Sequence, residues 1–251
     1  MALQVRIIAV AGMPEIRPGD DLAALILEAA RGRGADVEDG DVLVVTQKIV
    51  SKAEGRLVDL HQVEPSPHAR ELAAQTGKDA RLLEVILRES RRIVRQERGV
   101  IICETKHGFV CANAGVDTSN VGDGMVSLLP ENPDESAERI RAAIQQKGAG
   151  ISVAVIISDT FGRPWREGHT NVAIGVAGMS PTRDYVGQSD PHGYVLRVST
   201  MAVADELAAA AELVMGKLSR VPVAIVRGFD YQRAEGSARE LIRPAERDLF
   251  R

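Results

Sequence analysis

Aromatic side chains are scarce in this chain, making up 3% of its 251 residues. Platforms that stack nucleic-acid bases need more of them. The core must instead be packed from Ala, Val, Ile and Leu. A surplus of positive charge is also missing: 31 Lys and Arg stand against 35 Asp and Glu, a net charge of −4. Nucleic-acid binding through a broadly basic surface is therefore not expected. The two cysteines, Cys103 and Cys111, fit neither a C-x-x-C metal motif nor a secreted disulfide framework. Two reduced, partly buried thiols are the expectation. No apolar run reaches membrane-spanning length, and no basic segment followed by a long apolar one opens the sequence. The expected setting is the cytoplasm. Two nucleotide signatures are absent as well: G-x-x-x-x-G-K-[ST], and G-x-G-x-x-G opening a helix after a strand. A nucleotide, if bound, is held by a less common route.

What remains is an ordinary globular composition, 45% hydrophobic and 26% charged, long enough for a sizeable core. Strands are expected at 4–10, 41–50, 100–104, 109–112, 151–157 and 221–227, with weaker candidates at 172–176 and 195–199. Helices are expected from a cap at Asp20 or Asp21 to about Ala30, from Pro65 to about Gly77, and from a cap at Asp79. A fourth is expected from a cap at Asp134 or Ser136 to Gly148, and a fifth from Val203 to Gly216. A terminal helix over 237–249 is expected to break or kink at Pro244. Strands and helices mix without a steady βαβ rhythm, which favours an α+β fold over a doubly wound sheet. The turn-rich stretches 122–125 and 187–194 are too short to divide domains.

Two acidic segments carry the chemistry. The first is 113–120, with Asp117 among Asn, Thr and Ser. The second is 156–164, with Asp159 and Thr160 directly after an apolar run. Brought together, they would form an oxygen-lined cage for a hard divalent cation and the phosphates it bridges. Taken alone, each aspartate is equally consistent with a turn cap. Lys48 and Lys52 flank the end of the 41–50 run, where a lysine either meets phosphate as a point charge or faces solvent. Arg163 and Arg166 either fork onto an anion or pair with neighbouring acids such as Glu167. The arginine-rich stretch Arg88, Arg91 and Arg92 reads first as a solvated face. His107 and His169 are given no role, and Trp165 is expected to pack.

The runs 41–45, 49–56, 113–120, 158–160, Asp205-Glu206 and 222–228 together resemble the coenzyme F420-0:L-glutamate ligase family, in order and over nearly the whole chain. The resemblance implies an unusual α+β fold of two interwoven parts, forming one ligase domain and assembling as a homodimer. It implies that GTP and L-glutamate are joined to F420-0 through an acyl phosphate, releasing GDP and phosphate. A second round would add glutamate through a γ-linkage. Asp117, Asp159 and Thr160 would ligate two Mg²⁺ or Mn²⁺ ions, with K⁺ as a further candidate, and the two aspartates would be the catalytic residues. The nucleotide would be contacted by Met13, Pro14, Glu15, Ile16, Gln47, Lys48, Lys52 and Asn120. The segment Met215, Gly216, Lys217, Leu218, Ser219, Arg220, Val221 and Pro222 would be a further nucleotide loop. Lys217 departs from the pattern, because some relatives place an acidic metal ligand there. Some actinobacterial relatives add a C-terminal nitroreductase-like domain. This sequence ends at Arg251 without one, as a short form or an excised N-terminal domain. Two other readings stay open: a metal-dependent GTP phosphohydrolase and a non-catalytic deazaflavin-binding protein.

Overall fold

A computed structural model describes residues 4–148 and 150–249. In chain order the elements are β1 (Arg6–Val10), α1 (Leu22–Arg31), β2 (Val42–Thr46), α2 (Gln47–Ala53), β3 (Leu57–Asp59), α3 (Pro67–Thr76), α4 (Ala80–Glu89), β4 (Ser90–Glu97), β5 (Val100–Thr105) and β6 (Val110–Ala112). They continue with β7 (Met125–Ser127), α5 (Pro133–Lys147), β8 (Ala154–Arg163), β9 (Arg166–Ala177), β10 (Arg183–Asp184), β11 (Thr200–Met201), α6 (Val203–Met215) and β12 (Val223–Arg227).

The central sheet has the order β1-β12-β2-β8-β9. Only β2 and β8 run parallel; the other neighbours are antiparallel. The β2 sequence is a continuous β-branched and Leu run, and Val42 to Val45 are all fully buried. The inner half of β8 and most of β12 are buried in the same unbroken way. Burial without alternation requires cover on both faces, and helices supply it: α5 packs on β8 and β9, and α6 on β9, β12 and β1. This mixture of helices with a largely antiparallel sheet is the α+β class expected.

A second, smaller core is drawn from residues 60–128. Leu60, Leu72, Leu83, Ile86, Ile101, Cys103, Ala114, Val116, Val126 and Leu128 pack together there. It joins α3 and α4 to the sheet β4-β5-β6 and to the pair β3-β7. The caps follow the local chemistry. Asp21 accepts from the Ala24 amide at 3.0 Å and Asp79 from the Arg81 amide at 2.8 Å, each satisfying a donor the first helical turn leaves open.

Several expectations are corrected. The 41–50 run stops as a strand at Thr46, and Gln47–Ala53 is helical. Arg91 and Arg92 lie in β4, past the end of α4. The strand expected over 151–157 runs from Ala154 to Arg163, so Asp159 lies inside β8 rather than beyond its end, and His169 lies in β9. Residues 195–199 make one isolated bridge, from Val195 to Ser189, and no strand. The expected terminal helix is two 3-10 turns, Ala238–Leu241 and Ala245–Arg247, separated at Pro244. Asn132 caps α5. Asp134 instead accepts from the amides of Val176 and Ala238, each at 2.9 Å. Trp165 is 78% exposed at the tip of the β8–β9 hairpin.

Candidate active site

The parallel pairing of β2 and β8 places Thr46 opposite Ser158. Gln47 and Lys48, the first residues of α2, therefore start beside Asp159 and Thr160, which continue β8. Beside them the β8–β9 register shifts: Ile157 pairs with Gly175, but Ser158 pairs with Ala173. The extra residue, Ile174, is a bulge, a device that re-aims side chains near sites. The Ala173 amide donates to Asp205 of α6 at 2.8 Å, so the bulge is pinned from outside the sheet.

Asp117 reaches the same place from the second core. Asn113, Ala114 and Gly115 all have positive φ, at 53°, 54° and 73°. A buried alanine in that region is strained. The turn is held by Lys78, whose ammonium donates to Asn113 Oδ1 at 2.8 Å, and by paired backbone bonds between Asp117 and Ser127. Lys48 Nζ then donates to Asp117 Oδ2 at 2.5 Å, to Ser119 Oγ at 2.6 Å and to the Ser119 carbonyl at 2.8 Å. The Ser119 amide donates to Asp117 Oδ1 at 2.7 Å, so Asp117 is a turn cap as well as a candidate ligand.

The electrostatics tie the two aspartates together. Burial opposes the charge of Asp117, but the Lys48 ammonium and the Ser119 amide more than offset it, and its carboxyl titrates below its ordinary value. Asp159 behaves oppositely. Burial pushes it up to about 6, with the Thr160 amide pulling down, the charge of Asp117 adding to the rise, and Lys217 and Lys48 pulling back. Asp117, Lys48 and Lys217 thus all lie within the field of Asp159.

Of the other expected residues, Lys52 is buried and paired with Glu15, which comes from the loop before α1. Gln47 is buried and accepts from Ser51 Oγ at 2.8 Å. Ile16 is in the main core, Met13 packs against it, and Pro14 is exposed. Met215 is buried at the end of α6, while Gly216, Lys217, Leu218, Ser219 and Arg220 are exposed and Val221 and Pro222 half-buried. Lys217 Nζ donates to Thr160 Oγ1 at 3.2 Å. Asn120 is exposed one residue beyond Ser119, with φ of 58°. Arg163 donates to the Glu167 carbonyl at 2.9 Å.

Cys103 and Cys111 are free, buried and opposite each other across β5 and β6. Burial raises both thiols, Cys111 to about 12, so neither is a nucleophile at neutral pH. His107 Nε2 donates to the carbonyls of Pro130 and Glu131 at 2.9 and 3.1 Å.

The donor set at the centre is two carboxylates and a hydroxyl, all oxygen. Among the described residues there is no group of three or more His, Cys, Asp or Glu that could hold a metal ion. Two carboxylates and a hydroxyl would fit only a hard cation that completes its shell with substrate phosphate and water. The carboxylate pair supports the fit, since Asp117 makes ionised Asp159 costlier and a cation would reverse that cost. Sequence reasoning gave no role to Lys78, Ser119, Asn171 or Glu212. A polar Asn at the start of the apolar 172–177 run was the available signal for Asn171.

The chain matches the sequence model of the family F420-0:Gamma-glutamyl ligase over residues 12–228. It is similar to proteins named Coenzyme F420:L-glutamate ligase in three methanogens. Identity is 50% over 250 residues with that of Methanothermobacter thermautotrophicus, covering 98% of this chain and 99% of the relative. It is 49% over 242 residues with that of Methanopyrus kandleri, covering 94% of each. It is 48% over 216 residues with that of Methanocaldococcus jannaschii, covering 86% of each.

Proposed function

This chain belongs to the F420-0:gamma-glutamyl ligase family, and from that premise we propose that it joins L-glutamate to F420-0 at the expense of GTP. The observation that carries the reading is that Asp117, bonded to Lys48, lies within the electrostatic field of Asp159, whose neighbour Thr160 is bonded to Lys217. A carboxylate is a poor electrophile. Transfer of the γ-phosphoryl group of GTP to the terminal carboxylate of F420-0 would give an acyl phosphate and GDP. The glutamate amine would then attack the acyl carbon, expel phosphate and lose a proton, leaving an amide. A second round would extend the product through a γ-linkage.

Asp117, Asp159 and Thr160 would hold Mg²⁺ or Mn²⁺, which when bound offsets the charge on the transferring phosphoryl group. Lys48, bonded to Asp117, and Lys217, bonded to Thr160, would add positive charge beside that centre. Lys52 and Glu15 tie the 13–16 loop to α2, which supports that loop as a wall of the nucleotide site, and the 215–222 loop would be another. Phosphoryl transfer needs the attacking carboxylate held in line with the γ-phosphoryl group, and the walls of such a site would hold it there.

The test is phosphate release and product mass with enzyme, GTP, Mn²⁺, glutamate and F420-0, omitting one component at a time. The reading expects phosphate release that depends on F420-0, and a product heavier by one glutamate residue only when glutamate is also present. GTP cleavage with neither acceptor would make the protein a phosphohydrolase. Unchanged F420-0 with no phosphate released would end the enzymatic reading. Replacing K⁺ by Na⁺ in the same assay tests the monovalent ion. A second copy of this chain is the partner we assign to the 183–201 segment, where Val186, Tyr194, Val195, Val198 and Met201 stand exposed. Light scattering in solution should then give twice the mass of one chain.

A further inference from the structure

Asn171 is 3% exposed in β9, directly opposite Thr160 in β8. Its amide makes two directional bonds. Asn171 Nδ2 donates to Glu212 Oε2 of α6 at 2.9 Å. An ionised carboxylate only accepts, so Glu212 fixes the amino side of the amide toward α6 and the carbonyl oxygen toward Thr160. Thr160 Oγ1 lies 2.8 Å from Asn171 Oδ1. That oxygen has no hydrogen to give, so the hydroxyl of Thr160 must donate to it. The lone pairs of Thr160 Oγ1 are then left for the site, where the Lys217 ammonium is the present donor, at 3.2 Å.

We propose that Asn171 and Glu212 are positioning residues that hold the Thr160 hydroxyl proton out of the site and so make Thr160 a permanent electron-pair donor toward the cation. This rests on the reading of Asp117, Asp159 and Thr160 as the cation site. A threonine hydroxyl is a weak ligand, and without a fixed partner its hydrogen can rotate into the site and must be turned away before the cation meets a lone pair. The buried amide removes that choice before the cation arrives. Lys217 and the cation then compete for the same oxygen, so the lysine must give way when the cation binds.

The experiment is Mn²⁺ titration followed by electron paramagnetic resonance, on the full chain with GDP present. In parallel, GDP binding without metal and thermal unfolding are followed for each variant. Asn171→Leu and Glu212→Leu should each weaken Mn²⁺ binding by roughly 10- to 100-fold, the usual effect of removing an outer partner of a metal ligand. Metal-free GDP binding should change little. Glu212→Gln keeps an acceptor for the Asn171 amide and should bind Mn²⁺ within about threefold of the unaltered protein, by the same reasoning. Lys217→Ala should bind Mn²⁺ at least as tightly, because a competitor is gone. Leucine variants that unfold earlier but bind Mn²⁺ normally would overturn the proposal, as the two residues would then be structural only. If Asn171→Leu does not fold, the pair Glu212→Gln and Glu212→Leu decides, and equal Mn²⁺ affinity in both contradicts it. An unaltered protein that binds no Mn²⁺ would refute the cation site itself. Normal Mn²⁺ binding in Thr160→Val, with loss in Asp159→Asn, would refute this inference alone.

Discussion

Asp117 sits in a strained turn of the second core, with its side chain 39% exposed and Lys48 hydrogen-bonded to it. Asp159 sits inside β8, beside a bulge of the main sheet, and draws its hydrogen-bond support from the Thr160 backbone amide. The first carboxylate is neutralised where it stands and titrates low. The second is half-buried near a like charge and titrates near 6. A fold selected for stability alone would not leave that second cost standing. Ionisable groups held in costly states gather at functional sites. The contrast separates what each aspartate does for the fold from what each does for chemistry.

The largest effect that sharpens this contrast is expected from Asp159→Asn. Turnover should fall by at least about 10³-fold, as expected when a charged cation ligand is lost from a phosphoryl-transfer site. Yet the variant should be the more stable protein without metal. A carboxyl that titrates near 6 folded and 3.8 unfolded lends stability that is complete below 3.8 and is lost as pH rises through about 6. At neutral pH this costs the fold on the order of 1–3 kcal/mol. Calorimetry from about pH 4 to pH 7 should show that decline in the unaltered protein and not in the variant. A variant less stable at neutral pH would contradict the burial account.

Gly115→Ala attacks the other arm. A Cβ there would lie 2.7 Å from Leu129 Cγ, on a backbone with φ of 73°. Overpacking and left-handed strain together predict a loss of about 2–3 kcal/mol in denaturant unfolding. Equal stability would mean that the 113–115 turn is looser than described. Asp117→Asn should lower turnover and also destabilise the protein by about 1–2 kcal/mol, because a largely buried Lys48 loses its counter-charge. The sign is opposite to that at Asp159, and equal signs would dissolve the contrast. The smallest change is expected from Lys78→Met, which removes one bond to Asn113. Its stability cost should be about 1 kcal/mol or less. Its apparent Mn²⁺ affinity should fall more visibly, because Asp117 is no longer held in place.

The parts that could be read from the sequence are those whose signals are local. The capped helices α1, α3 and α4 carry Asp21, Ser66 and Asp79 at their starts, and β12 is a plain apolar run. What escaped depends on pairing. In β4, Ser90–Glu97, most side chains are polar or charged, and β5 holds the strand in place through hydrogen bonds that no residue pattern announces. The outer half of β8 and β9 is mostly polar, with Phe161 the apolar exception. It turns at Pro164-Trp165 with Trp165, not a glycine, in the left-handed region, so no hairpin signal was present. The site divides in the same way. Asp117, Asp159, Thr160 and Lys48 stand in segments a reader can recognise. Asn171 and Glu212 acquire meaning only once Thr160 is known to face Asn171 across the hairpin.

The central claim is that the carboxylates of residues 117 and 159 share a cation. Anomalous diffraction at the manganese edge, from crystals grown with Mn²⁺ and GDP, tests it directly. The account predicts a manganese peak about 2.1 Å from a carboxylate oxygen of Asp117 and, at the same or an adjacent ion, of Asp159. Manganese bound elsewhere, with Lys48 still closed on Asp117, would contradict it.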